Sequence, residues 1–468
     1  MNELWRWRAV DLAHAIRTRK ISSREAVTAC LERTEAVNAK INAVVDLMPQ
    51  EALAAADEAD RAVARGDSLE PLHGVPVTVK VNVDTKGRPN SNGVVAYKDN
   101  IATQDSPVVA NFRKAGAVIF GRTNTPAFSM RWFTENDLYG RTLNPWSRGH
   151  TPGGSSGGAS AAVAAGCGPI AHGNDFAGSV RYPAFATGLY GLRPSLGRVP
   201  GFSPSAQAER PVSAQLMSVQ GPLTRNVADL RVALQAMAVG DYRDVWWVPA
   251  PLQWPDSPRP IRVAMTVSCG GAPVQSAVVA AVRQAGEWLA AAGYVVEEVD
   301  PPGMAEAAQL WDTLASNEVR YFVADSIERL ADAGMKQCMA WMLENTPHLD
   351  AQSLSAAIAR RSTLLRNWLA FMQRYPLILG PISAETVFAQ GRDVASRESM
   401  QQILAAQAPM FFVPLLGVPA MSAPVGLVDG LPMGVHLIAN RFREDMLFDA
   451  AQVIEAHCTL TTPIDPKF

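Results

Sequence analysis

Thr151 to Ala184 reads TPGGSSGGASAAVAAGCGPIAHGNDFAGSVRYPA, the most unusual stretch of the chain. Near its start stand Gly153-Gly154-Ser155-Ser156-Gly157-Gly158, and near its end Asp175-Phe176-Ala177-Gly178-Ser179. Three readings compete. A flexible Gly/Ser linker is one, but an apolar helix-like run follows at once and then a second Gly-Ser turn. Phosphate binding at a helix start is another, but neither G-x-x-x-x-G-K-[ST] nor a strand-borne G-x-G-x-x-G is present. The third is nucleophilic catalysis. Glycines let backbone come close to a reacting centre, and N–H groups beside an exposed serine can hold an oxyanion. Ser179 fits that third role.

A serine nucleophile needs a base. The chain has seven histidines, none in a recognisable triad motif, and G-x-S-x-G is absent. Ser-Lys pairs are a known alternative. Lys80 ends the apolar run VPVTVK, where an ammonium would be poorly solvated; loss of hydration lowers a lysine pKa and makes it basic. A strand-end lysine that reaches solvent is the plainer alternative.

Working outward, GVPVTVKVNV (Gly74 to Val83) reads as a buried strand bounded by Gly and Pro. Ser106 to Asn124 reads as helix, a stop at Gly116, then a strand from Ala117 to Gly121. The pattern recurs from Ser276 to Asp300. Residues 8–45 show two amphipathic helices, the second headed by the capping pair Ser22 and Glu25. A third helix runs from Glu51 to a stop near Gly66. Ala305 to Met372 is mostly helical and carries Trp311, Tyr321, Phe322, Trp341 and Trp368. Short apolar strands are expected at Leu377 to Gly380 and Met410 to Val413. Trp246 to Pro260 reads as a Pro-rich surface connection. Alternating helix and strand argues for an α/β layered fold with helices on both faces of the sheet.

The chain has 468 residues, 48% hydrophobic and 18% charged, with net charge −2. That composition is ordinary for a globular protein. The balanced charge leaves no footprint for nucleic acid or an anionic membrane. Five cysteines, odd in number and without a CxxC pair, read as reduced thiols of a cytosolic protein. No secretory h-region and no apolar run of membrane length is seen. A soluble, cytoplasmic protein is expected.

These residues resemble the amidase signature family. The GGSSGG segment, the alanine-rich helix and D-F-A-G-S-V-R-Y-P-A match its signature, and Ser155 and Ser179 lie 24 positions apart, the family's spacing. GVPVTVK resembles its lysine-bearing segment. GRTNTPAF (Gly121 to Phe128), NPW (Asn144 to Trp146), GLRPSLGRVP (Gly191 to Pro200), GPLTRNVADL (Gly221 to Leu230) and GVPAMSAPVG with GLPMGVHLI (Gly417 to Ile438) follow in the family's order. The resemblance implies one large α/β/α domain around a twisted mixed sheet. Residues 1–70 would be N-terminal helices packing on the core or on a second copy of the chain. Residues 71–240 would be the catalytic core, 241–375 a connection and helical pocket region, and 376–468 the rest of the core.

It also implies an amidohydrolase in which neutral Lys80 takes a proton through Ser155, held by a cis peptide bond after Gly154, from the nucleophile Ser179. The N–H groups of Phe176, Ala177, Gly178 and Ser179 would receive the oxyanion. Asp175, Arg181 and Ser156 would support the loop, and Ser129, Met130, Trp132 and Phe133 would line the acyl pocket. No metal or organic cofactor is called for. The chain departs from the family at Ala177, where a glycine is usual, and at His436, where glutamine is common. A methyl at position 177 would cost about 1 kcal/mol if that residue needed a positive φ. The aromatic pocket residues point to a hydrophobic or aryl amide, an anilide or a carbamate as substrate. The alternatives are the glutaminase component of a tRNA-dependent amidotransferase and a non-catalytic binding protein that keeps the fold.

Overall fold

The computed structural model describes residues 3–255 and 259–468. Its centre is a sheet of eleven strands: β1 (Val44–Leu47), β2 (Pro76–Lys80), β3 (Val118–Thr123), β4 (Ile170–Asp175), β5 (Tyr190–Arg193), β6 (Val219–Thr224), β7 (Arg262–Met265), β8 (Val295–Glu298), β9 (Leu377–Pro381), β10 (Ala420–Val428) and β11 (Leu431–Ala439). The spatial order is β1-β3-β2-β4-β6-β5-β10-β11-β9-β7-β8. The sheet is mixed. β2 runs parallel to both β3 and β4, and β7 to both β8 and β9, while the middle of the sheet is antiparallel.

Every residue of β2, β3, β6 and β9 is buried. Strands buried on both sides need cover on both faces, which is why they read as continuous apolar runs rather than alternating ones. The helices supply that cover. Among them are α1 (Ala9–Arg17), α2 (Ser23–Ile41), α3 (Pro49–Arg65), α4 (Pro107–Lys114), α5 (Gly157–Ala164) and α6 (Arg181–Thr187). α2 begins with the expected reciprocal cap: Glu25 N–H donates to Ser22 Oγ at 3.0 Å, and Ser22 N–H donates to the Glu25 carboxylate at 2.7 Å. α3 ends on Gly66 in the left-handed region.

The N-terminal 70 residues are not helices alone. They add β1 to the edge of the sheet, antiparallel to β3. One strand reading is corrected. Met410 to Val413 lies inside the helix Ala408–Leu416, whose residues from Pro409 to Leu416 are all buried. A short apolar run buried on every side has no period to separate strand from helix. The flanking residues do separate them: Pro409 sits in the first turn and Gly417 closes the helix with φ 69°. Of the Pro-rich stretch Trp246 to Pro260, residues 256–258 lie outside the described residues.

α5 explains the glycine and alanine bias of the opening stretch. All eight of its residues are buried. A Cβ on Gly158 would stand 2.3 Å from the Asn124 nitrogen and 2.8 Å from the Ala43 carbonyl oxygen. The helix therefore meets the end of β3 backbone to backbone, and only small residues allow it. Because β2 and β4 are parallel, their C-terminal ends, Lys80 and Asp175, fall on the same edge of the sheet. α5, threaded between β3 and β4 in sequence, brings Ser155 to that edge.

Gly158→Ala should lower the urea midpoint of unfolding by the equivalent of about 1–3 kcal/mol of overpacking. A midpoint equal to the wild type's would mean that α5 can move away from β3.

Candidate active site

Lys80 is the last residue of β2 and is fully buried. Its Nζ lies 2.7 Å from Ser155 Oγ, 3.2 Å from Ser156 Oγ and 2.9 Å from Asn174 Oδ1. Burial pushes its pKa well below the ordinary 10.5, and the charge of Asp175 opposes that only in part. A neutral lysine has two N–H bonds and one lone pair. Asn174 Oδ1 can only accept, so it takes one N–H. If Ser156 Oγ takes the other, the lone pair faces the hydroxyl of Ser155. Asn174 is itself held by Asn82, which receives its amide N–H at 2.9 Å.

The Gly154–Ser155 peptide bond is cis. Ser156 N–H donates to the Ser179 carbonyl at 3.2 Å, tying the first serine segment to the second. Ser155 and Ser179 are 1% and 8% exposed and line the same cleft of about 840 Å³. Among the described residues no hydrogen bond joins their two hydroxyls.

Ser179 lies on the turn between β4 and α6. The turn is organised by Asp175, whose carboxylate accepts the N–H of Gly178 at 3.0 Å and of Val180 at 3.3 Å. Arg181 clamps the same carboxylate through Nε and Nη2, both at 3.0 Å. Arg193 donates to the Asp175 carbonyl at 2.6 Å. All three side chains are fully buried. Burial alone would raise the Asp175 pKa, but the two guanidinium groups hold it well below the usual carboxylate range. His436 receives Arg181 Nη1–H at 3.1 Å on Nε2. It is kept neutral by burial and by the charge of Arg181, so it braces the clamp from behind.

Two indoles fix the other side of the turn. Trp311 donates to the Phe176 carbonyl at 3.2 Å, and Trp132 to the Ala177 carbonyl at 2.9 Å. In a trans peptide the N–H points opposite the C=O. Trp311 thereby orients the N–H of Ala177. The N–H groups of Phe176, Ala177 and Ser179 have no acceptor among the described residues. Gly178, expected as a fourth donor, is already committed to Asp175. Ala177 is absent from the positive-φ residues, whereas Gly178 has φ 81°. The methyl of Ala177 thus carries no backbone penalty.

Ser179 stands where two spaces meet. One is an apolar pocket of about 70 Å³ that includes Ser129, Met130, Trp132, Phe176 and Trp311. The other is the cleft, lined by Asn82, Asn174 and Gln220 among others. Behind the pocket, Trp311 stacks on Phe411 with centroids 4.5 Å apart at 11°, and Phe176 meets Trp311 at 5.1 Å with the rings tilted by 54°. Phe133 does not line this pocket. It is fully buried and stacked on Phe388 in the core. Ser129, with φ 58°, sits between the two spaces, held by hydrogen bonds to Asn82 and Asn92. Sequence reading missed Asn174, Arg193 and Phe411. Asn174 lies next to Asp175 in a strand ending at the site, a position that could have flagged it.

The family model for amidases matches residues 25–448. The chain belongs to the amidase signature family. An indoleacetamide hydrolase of Bradyrhizobium diazoefficiens is 46% identical over 97% of this chain and 86% of its own length. An acylamidase of Rhodococcus erythropolis is 31% identical over 96% of this chain and 94% of its own length. A bacterial aryl acylamidase of the amidase signature enzymes superposes with TM-score 0.84 at 26% identity, over 98% of this chain and 97% of that one. This amidase is therefore a hydrolase of carbon–nitrogen bonds other than peptide bonds.

Ala177→Gly should leave the rate of Ser179 labelling by a fluorophosphonate within about twofold of wild type, since no strain is relieved. Gly178→Ala should slow labelling about tenfold or more, because a non-glycine residue at this φ costs about 1–3 kcal/mol and its Cβ would meet Met410 Sδ at 2.3 Å. Equal rates in the two variants would refute this account of the turn.

Proposed function

We propose that this amidase hydrolyses a primary amide of an aryl-substituted acetic acid through an acyl-enzyme on Ser179. The observation that carries the reading is the position of Ser179 between an aromatic pocket and the cleft lined by Ser155, with Lys80 bonded to Ser155. The acyl group occupies the pocket and the leaving nitrogen faces the cleft. Ser179 Oγ attacks the carbonyl carbon. Its proton passes to Ser155 Oγ, whose own proton passes to the lone pair of Lys80 Nζ. The oxyanion is received by free backbone N–H groups of the turn, a kind of contact whose removal typically costs about 3–4 kcal/mol in other enzymes. The C–N bond breaks as the proton returns through Ser155 to nitrogen, and ammonia leaves. Water then attacks the ester by the same route in reverse. The missing Ser155–Ser179 hydrogen bond forms on substrate binding, as catalytic hydrogen bonds often tighten only in the complex.

The aromatic lining of the pocket favours this reading over the glutaminase of an amidotransferase, because a glutamine side chain would leave the apolar rings unmatched. A non-catalytic role was suggested only by Ala177, whose ordinary backbone removes that argument. Among the described residues no helix is long and apolar enough to cross a membrane. Unpaired cysteines support a cytoplasmic setting.

The test is a kcat/KM panel of indole-3-acetamide, phenylacetamide, an anilide, a carbamate and glutamine, with Ser179→Ala as control. Primary arylacetamides should lead, with glutamine about 100-fold or more behind. Glutamine as the best substrate would reverse the assignment. Lys80→Ala should abolish turnover while leaving the thermal midpoint nearly unchanged; full activity in that variant would remove lysine from the mechanism. The base form of Lys80 exists above its pKa. Since that pKa is depressed, kcat/KM should be flat near neutral pH and fall on the acid side. Activity that appears only above the ordinary lysine range would contradict the neutral-lysine relay.

A further inference from the structure

The apolar pocket contains a carboxylate that the reaction does not use. Asp312 follows Trp311 on the helix Met304–Phe322 and lines the same pocket as Ser179. Its neighbours there include Met130, Val319, Met339, Met342 and Leu343. Each carboxylate oxygen receives one hydroxyl: Ser316 Oγ on Oδ1 at 3.2 Å and Thr346 Oγ1 on Oδ2 at 3.1 Å. A carboxylate offers about four acceptor positions, so half its capacity is unused. Among the described residues no cation pairs with it. Arg320, on the same helix, is spent on the carbonyls of Leu343, Thr346 and Pro347. Burial raises the Asp312 pKa, opposed by the two hydroxyls and the charge of Arg320.

We propose that Asp312 determines specificity in the acyl pocket by accepting a hydrogen bond from the ring N–H of a planar indole-type substrate. The proposal rests on the amide reading above and names its substrate class more narrowly. Asp312 is half-buried in the free pocket; a ring that fills the pocket shuts it off from water, leaving its spare lone pairs unsatisfied if the ring is purely apolar and satisfied if the ring brings a donor. The aromatic side chains of Trp132, Phe176 and Trp311 in the same lining suit an aromatic ring better than a flexible ammonium chain. Sites built to bond a substrate N–H reject the analogue that lacks it far more strongly than apolar pockets reject a changed methylene.

The experiment compares indole-3-acetamide with 1-benzofuran-3-acetamide, in which oxygen replaces the N–H at nearly the same shape. Wild type should prefer the indole by about 10- to 100-fold in kcat/KM, mostly through KM. Asp312→Leu should bring the ratio close to one, by losing the indole and keeping or gaining the benzofuran. Asp312→Asn, whose side-chain carbonyl still accepts, should retain part of the preference, and it serves as the second variant if Asp312→Leu does not fold. Hydrolysis of both amides by wild type within twofold of each other would overturn the proposal and leave the amide reading intact, as would an unchanged ratio in Asp312→Leu. Hydrolysis of neither amide, with Ser179 still labelled, would take down both.

Discussion

The site depends on one buried carboxylate. Asp175 ends a central strand, has no exposure, and is met by two backbone N–H groups and two arginines. Breaking a buried ion pair by removing one partner costs about 3–5 kcal/mol, because the remaining charge is stranded. The cluster is therefore strongly determined, and it dictates where the chain goes next. Gly178 and Val180 must present their N–H groups backward to the carboxylate, which leaves Ser179 between them facing the other way. Arg181 reaches past Asp175 to the carbonyls of Pro409 and Met410, so the C-terminal part of the chain is locked to the turn by the same side chain.

Charge and neutrality are kept apart in this arrangement. Behind the turn stand full charges, paired and hydrogen-bonded. In front stand Lys80 and three hydroxyl or amide partners with no carboxylate in contact. Asp175 is near enough to favour a protonated lysine, yet burial outweighs it. Had a carboxylate stood where Asn174 stands, at 2.9 Å from Nζ, the lysine would be held as an ammonium and could not accept a proton. An amide oxygen at that position orients the amine without charging it.

Much of this was legible in the sequence because it depends on small residues and fixed spacing. The GGSSGG segment and the DFAGS turn mark places where backbone meets backbone or takes a special φ, and such demands leave glycine and alanine behind. The helical stretch from Ala305 to Met372 and four of the eleven strands, β2, β3, β8 and β9, follow from periodicity and breakers. What stayed hidden depends on three-dimensional direction. Trp132 and Phe133 are adjacent and equally apolar, yet one lines the pocket and the other fills the core. Met410 to Val413 looked like a strand because complete burial erases the period. Arg193 and Asn174 act through partners distant in sequence, and only the place of Asn174 beside Asp175 pointed to either of them.

Ala177 illustrates how a departure from a family pattern can be neutral for backbone and still informative. Its carbonyl and that of Phe176 are held by Trp132 and Trp311, so position 177 is steadied by side chains, while glycine's freedom is needed only at Gly178 next to it. Neutral hydrogen bonds of this kind are worth about 1 kcal/mol each. The same two indoles line the apolar pocket beside Ser179. In the proposed reaction recognition and catalysis share parts, since Trp311 both lines the pocket and holds the peptide plane that carries the Ala177 N–H. Binding energy from the acyl group is thereby coupled to the group that would meet the oxyanion, and a poorly fitting acyl group should cost turnover as well as affinity.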